Sequence, residues 1–272
     1  MNITHPPPNV VEQILDHPTG IDKVIELGLF NEHRFSFYFW AKWNIKLEKA
    51  PNLITFDWHQ DLAYPEDKEK AELAKIELTK LEEVSFYSWN HLNLLNDNHI
   101  LSAAYLDLIN DIWVVCKQDN GFEERELIDF KGKKHKIMLF KTEKELYKSI
   151  NEEEINSLFF DIDIDFFTVE NSTSNDKDFY SYIKAGKMNK TFSIESDLIK
   201  WIFYRVEGIT IALEPEHTGG IDKSIEFLRK LEDFWFSNSI GNNKCNWSKT
   251  VKQHNWRKHN EKANNHNFHN IK

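Results

Sequence analysis

Two short apolar runs of the chain end in acids. In NLITFDWHQD, Leu53, Ile54 and Phe56 lead into Asp57, His59 and Asp61; in NSLFFDIDIDFF, Leu158, Phe159 and Phe160 lead into Asp161, Asp163 and Asp165. Runs of this length without strict apolar/polar alternation predict strands covered on both faces, as in a parallel sheet. Polar residues at their ends predict carboxyl ends that open into a cleft. GITIALEPE repeats the device with Glu214, Pro215 and Glu216 after an apolar stretch. Further strands are predicted near Leu29 and Phe30, over Ile112 to Cys116, and over HKIMLF, whose place in the sheet stays open. Pro6, Pro7 and Pro8 keep the first segment extended to about Val10.

Helical patterns separate these strands. The aromatic run Phe35 to Trp43 reads as a helix buried on most sides, and DKEKAELAKIELTKLEEVSF as one amphipathic helix. HILSAAYLDLIND, KTEKELYKSI, SDLIKWIFYRV and GGIDKSIEFLRKLEDFWFS complete the set, with TVENSTSNDKD a polar loop. The alternation predicts an α/β fold of three α-β-α layers around a mostly parallel central sheet.

Composition narrows this picture. A chain of 272 residues suits one α/β domain over 1–241, followed by an Asn-, His- and Lys-rich tail over 242–272. Thirty-four Lys and Arg against 44 Asp and Glu leave a net charge of −10, which disfavours nucleic acid and anionic membranes as partners. Only Cys116 and Cys245 are present, so neither a disulfide scaffold nor a thiolate zinc site is expected. With no signal-peptide pattern and no long apolar run, the expected location is cytoplasmic. The 20 Phe and nine Trp are assigned mainly to core.

The acids carry the candidate chemistry. In an extended strand Asp57, His59 and Asp61 share one side, as do Asp161, Asp163 and Asp165. Such groups need a counter-charge where water is scarce, and a metal ion is the natural one. Carboxylates with imidazoles suit manganese, iron or magnesium. The number of acids points to two ions, which together can activate water.

FDWHQD, DIDIDFF and ALEPEHTGG resemble the peptide arginase family, a divergent branch of the arginase and deacetylase fold, over about residues 25 to 235. The resemblance implies hydrolysis of arginine to ornithine and urea within an arginine-containing precursor peptide, with two manganese ions, other divalent ions being possible. It implies one ion on His33, Asp61, Asp57 and Asp163, and the other on His59, Asp165, Asp57 and Asp163. Asp161 is then an outer partner; the pair Asp161 and Asp163 is the alternative. NEHRF, which holds His33, lacks the paired glycines common before the arginase histidine. By the same resemblance Glu214, or else Glu216, pairs with the guanidinium. His91, His99 and His217 are candidate proton donors to the leaving amine. Rival readings are hydrolysis of agmatine, formimino or acetylated amine substrates, and a non-catalytic peptide-binding module with a structural metal site.

Overall fold

A computed structural model describes residues 6–118, 123–169 and 181–236. The tail 242–272 and most of the predicted 168–178 loop lie outside these residues.

Among the described residues the chain runs β1 (Val10–Asp16), β2 (Val24–Phe30), α1 (Ser36–Asn44), β3 (Asn52–Asp57), α2 (Asp67–Leu73), α3 (Leu81–Asn90), α4 (His99–Tyr105) and β4 (Ile112–Cys116). It continues through β5 (Glu123–Ile128), β6 (Lys134–Phe140), α5 (Glu143–Ile150), β7 (Leu158–Asp163), the short β8 (Thr168–Val169) and β9 (Ser181–Tyr182), α6 (Ala185–Phe192), α7 (Asp197–Phe203), β10 (Val206–Ala212), α8 (Pro215–Thr218) and α9 (Ile221–Trp235).

Eight strands form one sheet in the order β1-β2-β10-β7-β3-β4-β6-β5. The inner six are parallel, and β1 and β5 close the two edges antiparallel. The sheet is therefore mixed at its margins, and both edge strands went unpredicted. Their cause is visible: β1 and β5 are wetted on one face, so they lack the continuous apolar run that marks a buried strand. Residues predicted as one helix over 67–86 form α2 and α3 instead, each with its own acidic first turn.

Helices cover both faces. One core joins Ile54, Phe56, Phe160, Ile162, Ile209 and Ile211 to α5, α6, α7 and α9. The other joins Leu53, Phe159, Val114 and Ala212 to α1, α3 and α4. Period-two alternation thus sends successive residues of β3, β7 and β10 into opposite layers. Helix α1 is apolar nearly all round and correspondingly buried. It can lie this close to the sheet because β2 and β10 carry glycines beneath it: a Cβ on Gly28 would meet the Phe39 ring at 2.8 Å, and one on Gly208 would overlap Trp43.

The connections set the position of the cleft. From β3 the chain proceeds to β4 and β6 on one side, then returns to place β7 on the other side of β3. Such a reversal opens a crevice at the carboxyl ends of the two neighbouring strands. Here those ends are Asp57 and Asp163.

Candidate metal centre

Four adjacent strand ends converge on this crevice. Behind β2, a 3-10 turn over His33–Phe35 presents His33. Strand β3 ends at Asp57, and the bend after it brings His59 and Asp61, the latter with a φ of 51°. Strand β7 ends at Asp163, and a 3-10 turn over Ile164–Phe167 presents Asp165. Behind β10 stands Glu214. The expectation of two extended acidic runs is corrected here, since only Asp161 and Asp163 share a strand face. His59, Asp61 and Asp165 reach the cleft because the chain turns.

His33 is the hub. Its Nδ1 lies 3.0 Å from Asp61 Oδ2, 3.3 Å from Asp57 Oδ2 and 3.4 Å from Asp163 Oδ2. One nitrogen cannot satisfy three carboxylates through a single proton. Its Nε2–H donates to Asp161 Oδ2 at 2.7 Å. A second group forms at Asp165, whose Oδ2 lies 3.0 Å from His59 Nδ1 and whose Oδ1 accepts from the Trp58 N–H. Asp57 belongs to both groups: ligand-capable atoms of His33, Asp57 and Asp163, and of Asp57, His59 and Asp165, lie within 4.8 Å of one another. Asp57 Oδ2 and Asp165 Oδ2 are buried and have histidine nitrogens nearby, but these are not aligned to form hydrogen bonds.

Asp161 differs from its neighbours. The register sets it between Thr55 of β3 and Thr210 of β10. Its Oδ1 accepts from Thr210 Oγ1 at 2.5 Å and Ser36 Oγ at 3.1 Å, and its Oδ2 from Thr55 Oγ1 and His33 Nε2, both at 2.7 Å. Burial alone would raise its carboxyl, but His33 and the two threonines bring it below the ordinary carboxylate range. His33 is the reciprocal case: burial opposes its charge, yet Asp161 and then Asp57 and Asp61 lift it well above the usual imidazole range. Burial, followed by the charges of nearby acids, pushes Asp57 and Asp163 well above theirs.

Glu214 takes a left-handed conformation, φ 30° and ψ 64°, unusual for a residue with a Cβ. Its Oε1 accepts from the His33 N–H at 3.1 Å and from the Asn96 side-chain amide. A Glu214 oxygen lies within 4.8 Å of Asp163 and Asp165 oxygens. His217, half exposed on α8, has Nε2 4.0 Å from Glu214 Oε2, and its ring centroid lies 5.6 Å from that of His59. Glu216 is exposed on the same short helix.

The other two candidate histidines separate. His91 is exposed at the end of α3, stacked on Tyr87, and is not drawn into the cluster. His99 is fully buried, its ring centroid 4.4 Å from that of His33. Sequence reasoning passed over Ser36, Thr55 and Thr210, whereas Asn96 is a sequence candidate, with Asn90 and Asn98, for orienting backbone or water. The available signal was a hydroxyl inside each of two otherwise apolar strands.

Six carboxylates, of Asp57, Asp61, Asp161, Asp163, Asp165 and Glu214, are thus buried around His33 and His59, and among the described residues no Lys or Arg forms an ion pair with them. Carboxylates packed this densely without a Lys or Arg counter-charge fit divalent cations. The arrangement is a potential two-ion site and supports a metal-dependent hydrolase in general terms. No protein-family model matches the chain, and no curated protein matches it either. The mixed sheet and the His/Asp groups at its carboxyl edge agree with a ureohydrolase-like fold. No described helix is long and apolar enough to cross a membrane.

Proposed function

We propose that the protein hydrolyses the guanidinium of an arginine side chain, releasing urea and leaving ornithine, with an arginine-containing precursor peptide as substrate. The observation that carries this reading is Glu214: one carboxylate oxygen is tied to His33 and Asn96, and the group is seated beside the acidic cluster at the cleft. A carboxylate so fixed matches the planar fork of a guanidinium.

His33, Asp61, Asp57 and Asp163 would hold one divalent ion, and His59, Asp165, Asp57 and Asp163 the other. Manganese fits such hard donors. The ions would supply Lewis acidity and an activated water. The saturated hydrogen bonding of Asp161 supports this register over one that uses Asp161 as a ligand, and gives Asp161 the task of orienting His33. Glu214 orients the guanidinium carbon. Hydrolysis forms a C–O bond at that carbon, breaks its bond to the side-chain nitrogen, and delivers a proton to the departing amine. His217, near both Glu214 and His59 and open to solvent, would deliver it.

Urea release from an arginine-bearing peptide, measured beside free arginine and agmatine with manganese supplied, tests the reading. The peptide should be the best substrate. Glu214→Gln should keep both ions and lose about 10- to 100-fold in kcat/KM, the worth of a charged hydrogen bond. Absence of urea from every guanidine would overturn the proposal, and ion loss in Glu214→Gln would move that residue into the coordination shell.

A further inference from the structure

We infer that His99 supplies a third imidazole to the metal centre, its Nε2 ligating the ion held by His33 and Asp61. The inference rests on the two-ion reading above. It makes His99 a ligand instead of the proton donor that the sequence offered as one of three.

The first support is the tautomer. His99 opens α4, and its Nδ1–H donates to the Asn96 carbonyl at 2.8 Å. The proton is therefore on Nδ1 and the lone pair on Nε2. A ligating histidine typically binds its outer N–H to a carbonyl or carboxylate in this way, and His33 does so with Asp161.

The second is an unmet need. His99 Nε2 is buried and has no hydrogen-bond partner among the described residues. A buried acceptor left so costs roughly 1–3 kcal/mol, and native folds seldom leave one without a reason. The buried indoles of Trp40, Trp43 and Trp113, with Ser102 Oγ and Asp97 Oδ1, also lack partners; the indoles are donors, which no cation would engage, and Asp97 belongs to no group of ligand-capable side chains among the described residues. His99 Nε2, like Asp57 Oδ2 and Asp165 Oδ2, is an acceptor.

The third is position. A ring nitrogen of His99 and ligand-capable atoms of His33 and Asp61 all lie within 4.8 Å of one another. With Nδ1 committed to Asn96, the lone pair open to a cation is that of Nε2. Trp40 stacks on the His99 ring at 5.7 Å and His33 packs at 4.4 Å, so the ring is held in place. A neutral imidazole adds a donor without adding to the crowd of negative charge. A proton shuttle exchanges with solvent, whereas this ring is fully buried among the described residues.

The test uses the full chain stripped of metal and titrated with Co2+ alone. In wild type, paramagnetic proton NMR should show two solvent-protected imidazole N–H signals shifted by the cobalt, those of His33 and His99. His99→Phe should lose one, change the visible cobalt spectrum, and weaken one of the two binding steps by at least tenfold. Its metal-free melting curve checks folding, while the wild-type NMR count stands without any variant. A single protected N–H signal in wild type, or a His99→Phe protein with unchanged spectrum and affinity, overturns the inference and leaves the two-ion reading intact. Wild-type protein that binds no cobalt overturns both.

Discussion

Asp161 and Asp163 lie two residues apart on one strand face and stand under opposite electrostatic conditions. Asp161 receives hydrogen bonds from Thr55, Thr210, Ser36 and His33 and is stabilised as an anion. Asp163 is pressed by burial and by the charges of Asp165, Glu214 and Asp57. Removing one partner of a buried pair costs about 3–5 kcal/mol, so Asp161→Ala should destabilise the metal-free protein by that order. Asp163→Ala relieves repulsion, so the metal-free melting temperature should hold or rise while metal content falls. Melting curves and elemental analysis of the two variants check this. An Asp163→Ala protein that retains two ions would remove Asp163 from the bridging position.

Helix α1 reaches the sheet only through the glycines of β2 and β10, and the turn bearing His33 leads directly into it. Gly208→Ala would drive a methyl into the Trp43 ring; overpacking of this kind costs about 1–3 kcal/mol. The expected result is a drop in stability by denaturant titration together with weaker metal binding, because Ser36 and His33 shift with the helix. Unchanged stability would show that Trp43 can move aside. On the other flank, Lys117 behind β4 donates to the carbonyls of Phe166 and Thr168 and packs over Phe166, with Nζ 4.3 Å from the ring centroid. Burial, with Lys187 nearby, draws its ammonium down to about 8. This residue ties the turn that presents Asp165 to a different strand.

The folded chain as a whole concentrates negative charge at one sheet edge, and that concentration sets the pH dependence of metal uptake. In the metal-free fold Asp57 and Asp163 bind protons more tightly than ordinary carboxylates, and His33 more tightly than an ordinary imidazole. Ligation must displace those protons, so apparent affinity should fall as pH falls and protons should appear in solution on binding. Calorimetric titration in two buffers of different ionisation enthalpy measures the release; none would contradict the proposed ligands. An ion at a thousandfold excess over its Kd should also add about 4 kcal/mol of stability per site, seen as a rise in Tm.

The apolar runs of β3, β7 and β10 were legible because a strand buried on both faces has to be apolar along its length, and the acids at their ends stood out for the same reason. Edge strands β1 and β5 were not, since one wet face permits polar residues and blurs the pattern. Asp57, His59, Asp163 and Glu214 could be named from the chain alone as candidates for one cleft. The hydrogen bonds that set Asp161 apart from Asp163 could not. They depend on cross-strand register, which sets Thr55 and Thr210 beside Asp161 and leaves Asp163 opposite Ala212. The distinction between His91 and His99 is of the same kind. Eight residues apart in a polar segment, one ends α3 in solvent and the other opens α4 against His33. Local pattern encodes what each residue prefers, whereas the approach of elements distant in the chain fixes which groups share a dry space and must satisfy one another.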